Sequence, residues 1–467
     1  QQLYTYLLDH HPPGTYVLFM LTELIFGYSA PGIIYMGTFF SLVTMLFIFL
    51  FIRVVANTKT ALAGALFWAL ASNSISLEAN LPNTELYMNA FTMIALWAFV
   101  RFGTENRRGL ALTGLCFAIA SIFKMVAIFP LLAVALYLII EEFKKGGEKR
   151  FASSIRKLTD LAIPGFILWT LVFFYFIILG RFSDFWEAVF IFNRAYSESV
   201  TQNIFYYFTT AKELFHHSQI EIAALALFSI LFLILSAFRR SAYGPVRWPF
   251  FILLLLGTMV EVASPGYFFA HYYQLFVPLF SIMAALLLFE LYNTLKERAV
   301  SGALTLVIIA GLIPALTLGF YQAKFLKMSV TEISQKKYTP IFMESYELAK
   351  YIKERTEPCE TIYLYGQDTG VYYYSQRRAA TGIIFVTILF FGSKEKQRER
   401  QKDFYGRITG EPPAFFIWDR RYGKVKESIF YNMLKTKYDF TDERSGRYLI
   451  YELKNRAGCK GSLKNST

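Results

Sequence analysis

Over the first 323 residues, long uncharged apolar stretches alternate with short polar gaps. A helix that crosses a bilayer needs about 20 residues, and about 17 are tolerated when polar flanks complete the span. We predict ten spans on this basis: Leu24–Ile52, Ala61–Leu77, Leu86–Val100, Gly109–Phe123, Met125–Ile140, Leu161–Gly180, Ile222–Phe238, Trp248–Val260, Tyr272–Phe289 and Val300–Ala323. The pattern therefore predicts an all-α polytopic membrane domain over residues 1–323, with interfacial helices between some spans.

One apolar stretch, Gly14–Gly27, is short and contains Glu23. If it crossed the membrane, every later gap would change sides. The preceding pair Pro12-Pro13 suits the first turn of a helix, where proline removes no hydrogen bond. We predict a helix that lies in the outer interface of the membrane.

The chain becomes charged from residue 324 onward, and its apolar positions change period. Helical spacing and strand-like alternation both occur there, which is typical of an α/β fold. The predicted helices are Met343–Arg355 and Lys424–Leu434, and the predicted strands are Thr361–Tyr365, Ala414–Trp418 and Tyr448–Leu453. We predict a small extracytoplasmic α/β domain over residues 324–467.

The net charge is +13, and 55% of the residues are hydrophobic. Before position 300, sixteen of the twenty Lys and Arg residues lie in alternate gaps, which the positive-inside rule assigns to the cytoplasm. The remaining gaps then face outward. Because the basic excess orients the loops, it does not indicate nucleic-acid binding. The pattern predicts a multi-pass protein of the plasma (inner) membrane.

The first outward polar group is Asp9-His10-His11, just before the proline pair. A carboxylate and two imidazoles suit a divalent cation or a phosphate group. The same residues are also compatible with a polar loop that faces water. Sequence spacing leaves both interpretations open.

The second outward gap ends in Pro82-Asn83-Thr84-Glu85, with Glu85 at the start of a span and Asn83 or Thr84 placed to cap the helix. A carboxylate at the membrane boundary is partly desolvated, which strengthens its hydrogen bonds. The alternative is that Glu85 only complements the positive helix N-terminus. We favour a functional role for Glu85, and we interpret Glu78 as solvated.

Few ionisable groups lie in the other outward gaps or within the spans. Lys124 separates two apolar helices, so it either binds a phosphate at headgroup level or extends to water as a snorkelling lysine. Arg194 suits bidentate phosphate binding, and Arg181 suits an interface anchor. His271 either acts on a phosphate or a proton, or only caps a helix. Glu261 is predicted to be paired locally.

Three cysteines are present: Cys116 in a span, and Cys359 and Cys459 in the tail. An extracytoplasmic tail permits a disulfide between the last two. Because nothing in the sequence brings these residues together, two free thiols are the favoured interpretation.

Four short motifs, taken in order, resemble those of the membrane glycosyltransferases of the GT-C fold. The similarity is greatest to the bacterial protein-mannosyltransferase and aminoarabinose-transferase-like group. It covers about residues 1–323. The tail is similar only in its position after the membrane domain. The motifs are His11-Pro12-Pro13-Gly14, Pro82-Asn83-Thr84-Glu85, Phe123-Lys124, and His271-Tyr272-Tyr273-Gln274 followed by Pro278.

The resemblance implies transfer of a sugar from a polyprenyl-phosphate donor to a lipid, glycan or protein acceptor on the outer face of the membrane. It implies membrane lipids as further partners. By the same resemblance Glu85 is a catalytic carboxylate and His10 a metal ligand, so that a divalent metal cation is the cofactor to test. The residues that it implies for the donor phosphate are His11, Lys124, Arg194 and His271.

The family's principal catalytic carboxylate lies earlier in the first outer loop than the sequence that starts at Gln1. We therefore expect an N-terminally truncated chain, in which Asp9 is the nearest substitute. The alternative function is a transporter or flippase for lipid-linked sugars. Such proteins usually show repeated halves and ionisable groups at mid-membrane, and neither pattern is found in this sequence.

Overall fold

A computed structural model describes residues 3–4, 9–79, 81–197, 199–209, 222–338, 340–390 and 394–456. The contacts within the chain form two compact units. We call residues 11–177 and 197–327 the helical unit, and residues 1–10, 178–196 and 328–467 the tail unit. The predicted domain boundary after residue 323 stays a prediction.

The helical unit consists almost entirely of helices, which we label in chain order. They are α1 Gly14–Phe26, α2 Ala30–Val55, α3 Thr58–Ala71, α4 Thr84–Phe102, α5 Arg107–Ser121, α6 Ile128–Lys145, α7 Arg150–Ile178, and, after the shorter helices α8 to α10, α11 Ala223–Arg239, α12 Trp248–Ala263, α13 Phe276–Glu297 and α14 Ala303–Ala323. Each predicted span overlaps one of these helices, so the predicted all-α membrane architecture is confirmed. The short hairpin of β1 Ala242–Tyr243 and β2 Val246–Arg247 joins α11 to α12.

Among the described residues, five helical segments are long and apolar enough to cross a membrane by length and composition: Ala30–Val55, Met125–Lys145, Arg150–Ile178, Ala270–Glu297 and Ala303–Ala323. The Ala270–Glu297 segment is the most enclosed, and the residues buried along it pack in the core of the unit. Aromatic rings fill much of this core. Phe99 of α4 stacks on Phe250 of α12 with ring centroids 5.5 Å apart.

Two ion pairs fix the basic ends of the helices. Arg107 of α5 holds Asp160 of α7, with Nη2 2.9 Å from Oδ1. Lys157 is 1% exposed and lies 2.7 Å from the Glu142 carboxylate. A buried lysine needs such a partner because an isolated charge in an apolar interior costs several kcal/mol. These contacts hold α5, α6 and α7 together near the loops that the charge rule assigns to the cytoplasm.

The segment between α7 and α11 begins in the tail unit. It contains α8 Phe182–Trp186, a π-helical turn Glu187–Phe192, α9 Asn193–Tyr196 and α10 Val200–Thr209. The last of these helices belongs to the helical unit. The aromatic residues of 182–196 pack on one another, as in the stacked pair Trp186 and Phe190.

The rest of the tail unit has a five-stranded sheet in the order β4-β3-β5-β7-β6, with β3 parallel to β4 and β5 and the other pairs antiparallel. Its elements are α15 Val330–Tyr338, α16 Ile341–Arg355, β3 Thr361–Tyr365, α17 Gly370–Ser375, β4 Arg378–Ala379, α18 Lys394–Gly410, β5 Phe415–Asp419, α19 Tyr431–Lys437, β6 Tyr438–Arg444 and β7 Tyr448–Leu453. The predicted α/β fold is confirmed, with β3 and β7 at their predicted bounds. The predicted helix Lys424–Leu434 is wrong, because the chain forms a 3-10 turn at Val425–Glu427 and starts α19 only at Tyr431.

A buried ionic cluster lies where β3 and β5 end. The Arg447 guanidinium donates to the Asp419 carboxylate, with Nη2 2.8 Å from Oδ2, and also to Asp368 and Glu344. Arg421 contributes a second guanidinium, 2.7 Å from Asp419. Three carboxyl groups thus face two cations. Burial raises the pKa of Asp419, the least exposed of the three, to about 6, against the lowering effect of Arg447.

The cysteines differ from the sequence prediction. Cys359 is disulfide-bonded, so the prediction of a free thiol there is wrong. Cys116 is a free, buried thiol in α5. Cys459 lies outside the described residues.

Candidate active site

The most buried ion pair among the sequence candidates joins Glu85 and Lys124. Glu85 occupies the first turn of α4, and Lys124 lies in the turn between α5 and α6. The Lys124 ammonium is 2.6 Å from Oε1 of Glu85, and their side chains are 18% and 1% exposed. The Thr84 hydroxyl donates to the other carboxylate oxygen at 2.9 Å. Lys124 is therefore held in place. It is the more exposed member of the pair, so it is available to a ligand.

An aromatic ring completes the environment of Lys124. Its ammonium lies 3.6 Å from the centroid of the Tyr272 ring, in the geometry of a cation–π contact. Tyr272 belongs to the 3-10 turn Ala270–Leu275, which leads directly into α13. The turn thus places an aromatic face on the lysine that Glu85 already pairs. Neither contact is visible from sequence spacing.

The same turn carries a second acid–base pair. Nδ1 of His271 lies 2.9 Å from Oε2 of Glu78, and the two side chains are 26% and 21% exposed. The His271 ring packs edge-on against Tyr272, with centroids 4.9 Å apart. The prediction that Glu78 is merely solvated is therefore wrong. One continuous cluster runs from Glu85 through Lys124, Tyr272 and His271 to Glu78.

The backbone at Glu78 is strained, with φ at +56°. A left-handed conformation is uncommon for residues other than glycine, and it persists only where neighbouring groups enforce it. The side-chain amides of Asn83 and Gln274 both donate to the Glu78 carbonyl at 3.2 Å. Asn89 of α4 in turn donates to the Gln274 carbonyl at 3.1 Å. These bonds hold the acidic loop, α4 and the histidine turn in one arrangement.

The proline motif contacts the lysine turn through the backbone. The Gly14 amide donates to the carbonyl of Ile122, two residues before Lys124, at 2.8 Å. A Cβ atom at position 14 would lie 2.6 Å from that carbonyl oxygen. Only glycine allows this approach, so the His11-Pro12-Pro13-Gly14 motif is tied to the turn that carries Lys124.

We expect the Gly14→Ala variant to be destabilised by about 1–3 kcal/mol, because the added methyl group overpacks rigid backbone. Thermal unfolding of the purified chain in detergent measures this change. Gly319→Ala is the matched control, since nothing lies within 4 Å of a Cβ at that helical position. Equal melting temperatures for both variants would mean that the close approach is not needed.

The other predicted site residues are distributed over both units. His11 belongs to the helical unit, whereas Asp9, His10 and Arg194 belong to the tail unit. Arg194 is exposed in α9, and it forms no hydrogen bond or ion pair with a residue that the structure describes. The structure thus brings together Glu85, Lys124 and His271, while joint binding by all the predicted phosphate ligands stays a prediction.

Asp9 and His10 face a cavity of about 420 Å³ within the tail unit, together with Glu187, Lys396 and Arg400. His10 Nδ1 lies 3.4 Å from Oδ1 of Asp9, and its ring stacks on Tyr196. An imidazole nitrogen and a carboxylate oxygen are ligands that zinc and similar divalent ions accept, and a ring held by stacking is pre-oriented. Asp9 and His10 could therefore hold a metal, with His11 next along the chain.

Part of the chain matches the model of one protein family. Residues 10–169 match the family model described as dolichyl-phosphate-mannose-protein mannosyltransferase. Among curated proteins, none matches the chain.

The fold is similar to several solved structures. The first is ArnT from Cupriavidus metallidurans bound to undecaprenyl phosphate, with a TM-score of 0.61 and 13% identity over 96% of this chain and 88% of that one. Its apo state gives a TM-score of 0.60 and 12% identity over 96% of this chain and 89% of that one. The third is the archaeal oligosaccharyltransferase AglB from Archaeoglobus fulgidus, in complex with an inhibitory peptide and a dolichol-phosphate. It gives a TM-score of 0.51 and 12% identity over 91% of this chain and 62% of that one.

These matches confirm the predicted resemblance. The chain is a multi-pass membrane protein with the GT-C fold of these structures. It resembles the protein-mannosyltransferase and aminoarabinose-transferase-like group.

Two residues of the site were not among those that the sequence analysis predicted for it. Glu78 sits in a gap where a solvated acid is the ordinary interpretation. Tyr272 is one of 31 tyrosines, and only its place between His271 and the rest of the turn distinguishes it. A signal was available in the order of the motifs, because the acidic loop and the histidine turn were both assigned to the outer side.

Proposed function

We propose that this chain transfers a sugar from a polyprenyl-phosphate donor to an acceptor at the outer face of the membrane. The observation that carries the proposal is the Lys124 ammonium, fixed between the Glu85 carboxylate and the Tyr272 ring. A rigid cation at a membrane boundary suits the phosphate of a lipid-borne donor. The solved ArnT structure with undecaprenyl phosphate and the AglB structure with a dolichol-phosphate support this ligand class for the fold.

Lys124 acts on the leaving group in this proposal. When the bond between the sugar and the phosphate oxygen breaks, negative charge grows on the phosphate. A pre-positioned ammonium stabilises that charge without reorganisation, which is the largest single contribution in many enzymes. Glu85 holds the ammonium in place, and the Tyr272 face limits its movement. His11 and Arg194 are proposed as further contacts to the donor phosphate.

The acceptor must lose a proton as its new bond to the sugar carbon forms. His271, oriented by Glu78 through its Nδ1, has the arrangement of a carboxylate-supported base. Both side chains are more exposed than Glu85, so an acceptor reaches them more easily. The proton therefore goes to the Glu78–His271 pair, and the electrons of the broken bond stay on the departing phosphate. Asp9 is proposed as a further catalytic carboxylate, and Asp9 with His10 as the place for a divalent cation.

The proposed sidedness rests on charge. The gaps that contain Glu85, Lys124 and His271 hold few of the basic residues, whereas the alternate gaps hold sixteen of the twenty that precede position 300. The positive-inside rule places the second group in the cytoplasm. The site then faces outward.

The test uses the purified full-length protein in lipid nanodiscs with radiolabelled polyprenyl-phosphate mannose, glucose and aminoarabinose, each with an envelope extract as the acceptor source. We expect label to leave the carrier with one donor and to be incorporated into the extract. The Glu78→Gln variant should lose about 10²–10⁴-fold in rate, because His271 loses its orienting carboxylate. Glu23→Gln, an exposed acid in α1, is the matched control and should transfer normally.

No transfer by the wild-type chain with any of the donors would overturn the proposal. Movement of intact labelled donor across vesicles without loss of its sugar would instead favour the flippase alternative. Normal transfer by Glu78→Gln would keep the enzyme and remove the assigned base.

A further inference from the structure

Glu261 is a buried carboxylate that the mechanism above does not use. It lies in the last turn of α12 and is 3% exposed. The sequence predicts a local partner, and that prediction is wrong: no hydrogen bond or ion pair joins its carboxylate to any residue that the structure describes. An ionisable group retained inside a membrane domain marks a functional position by default.

Glu261 lines a small cavity with other polar groups. The cavity has a volume of about 20 Å³, and its polar lining consists of Glu261, Asn89, Thr92 and Thr258. This is room for one water molecule, which needs about 10–15 Å³ and two or more polar partners. The two threonine hydroxyls form no hydrogen bond within the described part of the chain. Asn89 donates its amide to the Gln274 carbonyl, which leaves its oxygen for the cavity.

The charges near Glu261 are those of the candidate active site. Lys124 and Glu85 both act electrostatically on its carboxylate, and the lining of the cavity contributes no titratable residue besides Glu261. Lys124 is committed to Glu85 at 2.6 Å. An ionised Glu261 would therefore be a second buried anion without a cation of its own, which costs several kcal/mol. The neutral acid avoids that cost.

Charge balance also connects Glu261 to the donor. Glu85 and Lys124 together carry no net charge. An ionised Glu261 would give the cluster a net negative charge and repel a phosphate, whereas a protonated one leaves Lys124 able to attract it. His271 and Glu78 form their own pair in the neighbouring turn.

We propose that Glu261 is a positioning residue kept in its protonated, neutral form. It shares one water molecule with Asn89, Thr92 and Thr258, and its neutrality sets the affinity of Lys124 for the donor phosphate. The effect of Glu261 on donor binding rests on the proposed function. The protonation state of Glu261 depends only on the fold. The two can therefore be tested separately.

The direct test is infrared difference spectroscopy of the full chain in nanodiscs, wild type minus Glu261→Gln. We expect the carbonyl stretching band of a protonated carboxylic acid at neutral pH. Ionised-carboxylate bands at this position would overturn the proposal, whatever the chain transfers. Glu261→Asn is the second variant, to be used if the glutamine variant does not fold.

The functional test measures binding of polyprenyl phosphate, without sugar, between pH 7 and pH 9.5. At pH 7 the Glu261→Gln variant should bind as the wild type does, because an amide mimics the neutral acid. Where the rising pH removes the infrared band of the protonated acid, the wild type should lose about tenfold in affinity, and the variant should not. Weaker binding by Glu261→Gln at pH 7, or equal affinities of the two proteins after the band is lost, would overturn the role. Sugar transfer by the wild type remains the separate measure of the proposed function.

Discussion

The Lys124→Met variant should lose about 10²–10³-fold in the rate of sugar transfer, the usual effect of removing one fixed group that stabilises developing charge. Methionine keeps the length and packing of the lysine side chain but has no charge. The phosphate leaving group would then depart without its cation. The measurement is the nanodisc transfer assay with the radiolabelled donor that the wild type uses.

The single variant also leaves Glu85 buried and unpaired, which destabilises a protein by about 3–5 kcal/mol. The Glu85→Gln, Lys124→Met double variant separates the two effects, because it removes both charges together. We expect it to regain much of the stability and none of the activity. Lys59→Met, at an exposed lysine of α3, is the control for loss of one positive charge. Transfer at the wild-type rate by folded Lys124→Met would remove the lysine from the mechanism.

The Arg447→Met variant should destabilise the tail unit by about 3–5 kcal/mol, because three carboxyl groups lose their shared cation. Asp419 is fully buried, and Arg447 reaches it with two nitrogens at 3.2 and 2.8 Å. For a folded unit of this size the loss corresponds to a fall of about 10 °C in melting temperature. Hydrogen exchange of peptides from β5 and β7, followed on the full chain, reports the change locally.

Lys424→Met is the matched control for this experiment. Its pair with Glu427 is largely exposed, with side chains 82% and 70% accessible, and such pairs contribute at most about 1 kcal/mol. Adding Asp419→Asn to Arg447→Met should restore part of the stability, since one unpaired carboxyl group is removed. Unchanged exchange in Arg447→Met would show that the cluster is not a stabilising element.

The helices of the membrane domain were predictable because a bilayer span imposes a length and an apolar composition that short-range sequence displays directly. The strands β3 and β7 were also predictable, and both have the bounds that the sequence pattern predicted. The predicted helix at Lys424–Leu434 failed for a local reason. Its apolar positions belong instead to a turn and to the start of α19, and both pack on the sheet core through Phe430 and Met433.

The candidate site was predictable only in part. Glu85, Lys124 and His271 stand out because charge is scarce on the predicted outer side of an apolar chain. Their pairing was not predictable, since Glu85 and Lys124 are 39 residues apart and His271 and Glu78 are 193 apart. Glu261 was assigned a local partner because buried carboxylates usually have one, and the packing of α12 leaves it without.

Composition and charge order along the chain were sufficient to predict a polytopic membrane protein and its α/β tail, because solvation by lipid acts on each segment separately. The resemblance to the GT-C glycosyltransferases came from four short motifs. The partners of each polar group depend on how the helices pack. A contact between residues 39 or 193 positions apart produces no periodic pattern in the sequence. The tertiary structure therefore decided that Glu85 pairs with Lys124, that Glu78 orients His271, and that Glu261 has no cation of its own.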